Sequence, residues 1–337
     1  MHEIGRVELI GTTARELIAR RDFCGRVLAV VTGAVYLETE ACFLEAIPPP
    51  MQVLELKMWG KFANLPYVDE HIVGENGVPG NGILWLAQNH LPMHPRAVRG
   101  DFDFTPLHEE MQVVCDGTWL RFDARHRSES RVQVADAPVW TPQPVAPGQI
   151  LPRKVVSERA QKLRNAIELR IPRSANALPI LHVERACRDG DLPHALQAGR
   201  ELVGLGPGLT PSGDDFLGAL LFVAQHLHAA YPEAFEWKQQ AIGDWLDWAH
   251  PRTNSISYSI LRDHASGKSV EPLHNLVGAL LQGKASDEMT AHVRALLAIG
   301  STSGWDMLLG VMTGMLLIES TPHPFRTSKA AAPVSVL

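Results

Sequence analysis

The sequence predicts an α+β protein, in which a mainly β N-terminal domain precedes a mainly α-helical C-terminal domain. Short β-prone runs separated by turn dipeptides fill the first 140 residues, a proline-rich segment follows, and helical patterns occupy most of the remainder. A chain of 337 residues is also long enough for two domains of about 100–200 residues each. We therefore expect domains at residues 1–145 and 153–322, and a loose tail at 323–337.

The N-terminal half contains two hairpin signals. Residues 26–38 are rich in Val and Leu and are broken by a Thr-Gly pair at 32–33, which predicts two short strands around a turn. An Asp-Gly pair at 116–117 separates two further β-prone runs, and this pair is preferred in two-residue type I′ turns. The alternating segment 131–140 predicts another strand, so the first domain should be mainly β.

The C-terminal half begins after a segment with four prolines, residues 141–152, which predicts an extended connector. Apolar residues at helical spacing follow in 156–167 and in several later segments. Two of the predicted helices, 214–224 and 305–318, are apolar almost all round. Helices of this kind are buried centrally, so their N-termini should also lie deep in the domain.

The stretch GLGPGLTPSGDDFL at 204–217 enters the first of these central helices. Part of it is a plain helix start, with Thr210 as the N-cap, Pro211 in the first helical position and acids in the first turn. One helix start needs only one capping hydroxyl, however, and this stretch has a second hydroxyl, a second acid and several glycines. A glycine loop that leads into a helix N-terminus suits an anion, so a ligand site is the favoured interpretation.

A second copy of the motif, GSTSGWDMLL at 300–309, precedes the other central helix. Both copies read Ser-Gly-x-Asp followed by apolar residues, and we expect the two helix N-termini to converge on one ligand. The predicted catalytic residues are Asp214, Asp215 and Asp306. The predicted substrate-binding residues of the two motifs are Gly206, Gly208, Thr210, Ser212, Gly213, Thr302, Ser303 and Gly304.

A third polar segment, at 250–267, adds Arg252, Thr253 and Ser257 to the predicted substrate-binding residues. A guanidinium binds carboxylate or phosphate through two hydrogen bonds, so Arg252 could clamp an anion. An equally favoured alternative is purely local, because Asn254 or Thr253 is an acceptable N-cap for the following helix.

Composition and charge exclude several function classes. The net charge is −6 and the Lys and Arg residues are scattered, which argues against a nucleic-acid partner. No apolar run approaches the roughly 20 residues that span a bilayer, and the N-terminus does not resemble a secretion signal, so we expect a cytoplasmic protein with no membrane partner. The four cysteines show no CxxC pairing and are expected to be free thiols.

The chemistry of the site stays open at this level. No zinc-type His spacing occurs, and no metal site is predicted. The carboxylates could nevertheless hold Mg²⁺ as a cofactor, together with substrate oxygens, or they could accept hydrogen bonds from the amide or ammonium groups of a substrate.

Three stretches, GLGPGLTPSGDDFLGALL, GSTSGWDMLLG and TNSIS…LRDHASG…LVGALLQG, resemble a bacterial family long catalogued as a domain of unknown function. The resemblance covers about residues 150–320. That family includes AllH, a subunit of the oxamate carbamoyltransferase of anaerobic allantoin breakdown. The resemblance implies a transferase role in purine and nitrogen catabolism, in an oligomer with FdrA-like and AllG-like partners. The implied reaction converts oxalurate and phosphate to oxamate and carbamoyl phosphate. The resemblance assigns no catalytic residue.

Three hypotheses follow. The chain is an enzyme, or a subunit of one, that acts on a small anionic carbamoyl or carboxylate compound. Alternatively, it is a Mg²⁺-dependent phosphoryl-transfer or hydrolytic enzyme that uses Asp214, Asp215 and Asp306. The third hypothesis is a non-catalytic subunit that binds a metabolite.

Overall fold

The computed structural model describes residues 2–19, 23–41, 82–123, 129–145, 147–167 and 177–319. The chain divides into two compact units, Met1–Pro142 and Gln143–Leu337. The first unit is built on a curled β-sheet and the second is mostly helical, so the predicted α+β class is confirmed. The narrower domain limits remain predictions, and the predicted tail at 323–337 lies outside the described residues.

In the described part of the first unit, ten strands form a mixed sheet with the order β1-β9-β8-β7-β3-β4-β5-β6-β2-β10. Most neighbours are antiparallel, whereas β1–β9, β5–β6 and β2–β10 are parallel. The strands are β1 (His2–Glu3), β2 (Gly5–Gly11), β3 (Phe23–Val31), β4 (Ala34–Ala41), β5 (Gly82–Gln88), β6 (Ala97–Phe102), β7 (Gln112–Cys115), β8 (Trp119–Phe122), β9 (Ser130–Gln133) and β10 (Val139–Trp140).

Both predicted hairpins are confirmed. Strands β3 and β4 pair around a turn at Gly33, and β7 and β8 pair around a turn at Gly117; both glycines have positive φ. The prediction missed one helix, α1 (Thr12–Ala19), which buries Ala14 and Ile18 in the core of this unit. Its eight residues are too few for the helical periodicity to stand out beside the neighbouring β-prone runs.

The second unit is a helical domain whose elements surround two central helices. Its helices are α2 (Arg153–Ile167), α3 (Ala177–Arg188), α4 (Leu192–Ala198), α5 (Ser212–Ala230), α6 (Gln239–Ala249), α7 (Ser255–Ala265), α8 (Glu271–Gln282), α9 (Ser286–Leu297) and α10 (Ser303–Gly314). Short 3₁₀ turns at Gly199–Leu202 and His250–Arg252 precede the loops that enter α5 and α7.

The two apolar helices predicted from the sequence are α5 and α10, and both are buried along most of their length. They pack closely because α10 presents a glycine to α5. A Cβ atom placed on Gly310 would lie 2.2 Å from the carbonyl oxygen of Phe216 and 2.9 Å from the Cβ atom of Ala219. This close approach sets the two helices side by side and fixes the relative positions of their N-termini.

Two other findings concern predictions made above. No helix in the described part of the chain is long and apolar enough to cross a membrane. Cys24 takes part in a disulfide bond, so the prediction of free thiols is wrong for this residue, whereas Cys115 and Cys187 are buried free thiols. Sequence spacing could not detect the disulfide, because pairing depends on which strands bring the sulfurs together.

Candidate functional site

The two Ser-Gly-x-Asp motifs meet in space at the N-termini of α5 and α10. Thr210 precedes α5, and Ser303 is the first residue of α10. Their hydroxyl oxygens are 3.2 Å apart and share a hydrogen bond. The helix starts differ from the sequence interpretation at one point. The N-cap of α5 is Pro211, not Thr210, and no side chain caps this helix. The Thr210 hydroxyl is therefore free to face the other motif.

The motifs face each other reciprocally. The Ser303 hydroxyl of the second motif forms a hydrogen bond with the Asp215 carboxyl of the first. In the same way, the Ser212 hydroxyl of the first motif forms a hydrogen bond with the Asp306 carboxyl of the second. Thr210 adds to the Asp215 side and Thr302 to the Asp306 side. The arrangement is thus a pair of equivalent half-sites, each made from the serine of one motif and the aspartate of the other.

The first half-site contains a buried carboxyl. Asp215 is only 5% exposed, and its Oδ2 atom has no hydrogen-bond partner among the described residues. Burial raises the pKa of Asp215 to about 7, and the nearby charge of Asp306 acts in the same direction, whereas the Ser303 and Thr210 hydroxyls oppose it. A carboxyl near its pKa at neutral pH can both donate and accept a hydrogen bond.

The second half-site is more open. Asp306 is half-buried, but its Oδ2 atom is inaccessible to solvent and also lacks a partner within the described residues. Burial raises the pKa of Asp306, while the hydroxyls of Ser212 and Thr302 lower it. Buried polar atoms are almost always hydrogen-bonded in folded proteins. Two carboxyl oxygens that lack a partner at the meeting point of the motifs are therefore a feature that a bound ligand would explain.

The glycines of the two motifs have the same structural task. A Cβ atom on Gly213 would lie 1.8 Å from the carbonyl oxygen of Leu202, and one on Gly304 would lie 2.2 Å from that of Leu296. In both motifs the helix start is therefore packed against the end of the preceding helical element, the 3₁₀ turn Gly199–Leu202 for α5 and helix α9 for α10, where only glycine fits. This packing explains why both copies have glycine directly after serine, and it is compatible with either a structural or a binding role.

Asp214 has a different environment from its neighbour Asp215. One of its carboxyl oxygens accepts a hydrogen bond from the Gly204 amide at 2.8 Å, and the other accepts from the hydroxyls of Ser257, at 2.7 Å, and Thr253. The side chain is 2% exposed. With three donors already bound, Asp214 ties the loop before α5 to the start of α7 and has little capacity left for a ligand.

A second tie holds the same loop. The Asn254 side chain caps α7 by accepting from the Ser257 amide at 3.0 Å, and it also donates to the carbonyl of Leu209 at 3.0 Å. The sequence offered Asn254 or Thr253 as the cap, and the structure selects Asn254. Between these ties the chain at 205–208 is exposed and includes Gly206 and Gly208, both with positive φ. Their contact with a ligand remains a prediction.

Asp214→Ala tests the first tie. Alanine removes the carboxylate that accepts from the Gly204 amide and from the Ser257 and Thr253 hydroxyls, so we expect a loss of about 1–3 kcal/mol in the free energy of unfolding. The Gly204 amide should also lose protection against hydrogen exchange. Thr253→Val is the matched control, because it removes one hydroxyl but leaves the Gly204 bond. Unchanged protection of Gly204 in Asp214→Ala would contradict the assignment.

Arg252 has its guanidinium on an aromatic ring. Its guanidinium carbon lies 4.2 Å from the centre of the Trp248 ring, and Nη1 donates to the Trp248 carbonyl at 2.5 Å. Arg200 stacks on the same ring at 4.5 Å. The backbone of Arg252 does reach the site, because its carbonyl lies against Gly204. The predicted role of its side chain as an anion clamp stays a prediction.

Sequence reasoning did not single out two exposed apolar side chains at the motifs, Leu205 in the loop before α5 and Trp305 in the first turn of α10. They are 38% and 49% exposed, respectively. Their signal in the sequence was weak, since each is one apolar residue among others near a buried helix. Exposure beside unpartnered polar groups became visible only in the structure.

A metal site was left open by the sequence. Among the described residues, no group of three or more His, Cys, Asp or Glu side chains is arranged to hold a metal ion. Asp215 and Asp306 supply two carboxyls to the meeting point of the motifs, whereas Asp214 is directed to Gly204, Thr253 and Ser257.

Comparison with known proteins concerns the helical unit. No solved structure matches the chain. A family model described as oxamate carbamoyltransferase subunit AllH matches residues 202–315, about a third of the chain. This segment begins just before the glycine loop, contains α5 to α10 and includes both Ser-Gly-x-Asp motifs. Residues 202–315 are therefore similar to AllH, and the resemblance predicted from the motifs is confirmed over this segment.

Proposed function

We propose that this chain is a subunit of a carbamoyltransferase-type enzyme and that a small anionic carbamoyl or carboxylate compound binds where the two motifs meet. The family match names a subunit of oxamate carbamoyltransferase, which supports the class of enzyme. The reaction that we propose for the assembly is the exchange of a carbamoyl group between oxalurate and phosphate, which gives oxamate and carbamoyl phosphate.

One observation carries the binding site: two reciprocal Ser–Asp half-sites leave one carboxyl oxygen each without a partner, at the N-termini of two packed helices. Helix N-termini favour the anionic part of a ligand. Carboxyl oxygens accept from NH₂ groups, and the serine hydroxyls can donate or accept. A compound that has both a carboxylate and an amide would satisfy both kinds of group at once.

The chemistry that we propose needs mainly positioning. In carbamoyl transfer, an oxygen of phosphate attacks the carbamoyl carbon, and the bond from that carbon to the leaving nitrogen breaks. Holding the two reactants at the correct distance can lower the barrier substantially, and preorganised donors stabilise the charge that develops on the carbamoyl oxygen. The hydroxyls of Ser212 and Ser303 are the donors that this site would supply, because the amides of the residues that follow each serine already donate to backbone carbonyls.

Ligand-dependent stability tests the proposed site. We expect oxamate or carbamoyl phosphate to stabilise the full chain by about 3 kcal/mol at a hundredfold excess over the dissociation constant. The double variant Ser212→Ala, Ser303→Ala should bind the ligand at least about tenfold more weakly. Each substitution removes a hydroxyl that would bind the ligand or that holds the aspartate of the same half-site. Ser286→Ala is the matched control, since Ser286 is also the first residue of a helix but is exposed elsewhere, on α9.

Further measurements of activity and binding distinguish the proposed function from its alternatives. We propose FdrA-like and AllG-like subunits as partners, so carbamoyl phosphate should form from oxalurate and phosphate only in the assembled complex. Ligand binding that disappears with a chelator and returns with Mg²⁺ would favour the metal-dependent alternative. Ligand binding by this chain, with full activity of the partners in its absence, would favour the non-catalytic alternative. No stabilisation by either ligand would contradict the proposed site.

A further inference from the structure

The two half-sites have the same residue types but different environments. Asp215 is 5% exposed and is hydrogen-bonded to Ser303 and Thr210, whereas Asp306 is half-buried. Each keeps its Oδ2 atom without a partner among the described residues. The nine-tenths buried, unpartnered Asp215 oxygen is what distinguishes this place from an ordinary pair of helix starts.

This difference in burial decides where a proton resides. Removing a carboxylate from water is unfavourable, and two nearby negative charges oppose each other, so the more buried group keeps its proton while the more open one ionises first. The charges that act on Asp215 are those of Asp306 on α10 and of Asp214 on its own helix, and both raise the pKa of Asp215. Their effect adds to that of burial, which brings the pKa of Asp215 to about 7.

We propose that the two half-sites read opposite ends of one small ligand, with Asp215 donating its carboxyl proton to an oxygen acceptor and Asp306 accepting from an NH₂ group. The preferred ligand is then a compact molecule with a carboxylate or carbonyl oxygen at one end and a primary amide at the other. This inference rests on the proposed function and adds to it the orientation of the ligand and the residues that discriminate between its ends.

A series of three probes of equal size tests the orientation. Oxalate has two carboxylates, oxamate has one carboxylate and one amide, and oxamide has two amides. We expect the full wild-type chain to bind oxamate at least about tenfold more tightly than oxalate, because a second carboxylate would face the ionised Asp306. Oxamide should also bind more weakly than oxamate, since it lacks the negative charge that the helix N-termini favour. Dissociation constants are measured by calorimetry at pH 6, 7 and 8.5.

The two aspartates should respond differently when they are changed. Asp306→Asn supplies an NH₂ donor, so the preference for oxamate over oxalate should disappear. In the wild type, the affinity for oxamate should fall between pH 6 and 8.5, because Asp215 loses the proton that it donates. Asp215→Asn retains a donor that cannot ionise, so the preference for oxamate over oxalate should remain while this pH dependence disappears. Asp287→Asn removes an exposed carboxyl from the first turn of α9 and is the matched control, with no change in either property expected.

The outcomes separate this inference from the proposed function. An unchanged ratio of oxamate to oxalate affinity in Asp306→Asn would overturn the orientation, even if oxamate still binds. The same conclusion follows if wild-type affinity for oxamate does not change between pH 6 and 8.5. Absence of binding by all three probes would contradict the proposed site itself. Thermal unfolding of each variant verifies that the compared chains are folded.

Discussion

Asp215→Asn is expected to change the free energy of unfolding more favourably at pH 8 than at pH 4, by about 4 kcal/mol. The pKa of Asp215 in the folded state is about 7, against 3.8 for an ordinary aspartate. Between these values the folded state binds more protons than the unfolded state. The stability that this proton contributes is therefore fully present below about pH 4 and is lost as the pH rises through about 7.

Urea unfolding of both proteins between pH 4 and 8 measures this effect. The quantity to compare is the difference in unfolding free energy between the variant and the wild type, because other titrating groups cancel in that difference. It should increase up to about pH 7 and then level off. Asp287 is exposed, so Asp287→Asn gives the reference for the loss of one charge without a change in burial. A difference that stays constant with pH would mean that Asp215 ionises as freely in the folded chain as in the unfolded one.

Gly310→Ala is expected to destabilise the helical unit by about 3 kcal/mol, since overpacking at a tight contact costs about 1–3 kcal/mol and this contact is with backbone. The added Cβ would lie 2.2 Å from the carbonyl oxygen of Phe216, which cannot rotate away. Helices α5 and α10 would have to separate. Because these helices carry the two half-sites, the separation should also weaken oxamate binding.

Gly243→Ala is the matched control for this substitution. Gly243 lies inside α6, and no atom would be within 4 Å of an added Cβ. Alanine favours a helix over glycine by about 1 kcal/mol, so this variant should be slightly more stable than the wild type. Thermal and urea unfolding measure both variants. Equal stability of the two would show that the contact between α5 and α10 can relax at little cost.

The neighbours Asp214 and Asp215 show how far the sequence could go. Both acids were predicted to share one site, because both stand in the first turn of the same helix. Successive residues of a helix point about 100° apart, so the two carboxyls face different neighbours. Asp214 faces α7 and the Gly204 amide, whereas Asp215 faces α10. Which of them keeps one carboxyl oxygen without a partner among the described residues depended on what packs on each side of α5.

The N-terminus of α5 also shows that long-range contacts can override a local sequence signal. Thr210 followed by Pro211 is a strong local signal for an N-cap and a first helical residue, yet the helix begins one residue later and the Thr210 hydroxyl meets Ser303. A hydrogen bond across 93 residues took precedence over local capping. Asn254 behaved as local rules predict, because its side chain caps α7 and no distant partner competes for its carbonyl oxygen.

By itself, the sequence determined the α+β class, both hairpins, the two buried helices and the similarity of residues 202–315 to AllH, because these depend on periodicity, turn residues and contiguous motifs. Only the tertiary structure decided that the motifs face each other reciprocally, that Asp214 binds the protein itself and that two carboxyl oxygens stay unpartnered. These features depend on how α5, α7 and α10 are packed together, and helix packing is set by contacts between residues far apart in the chain.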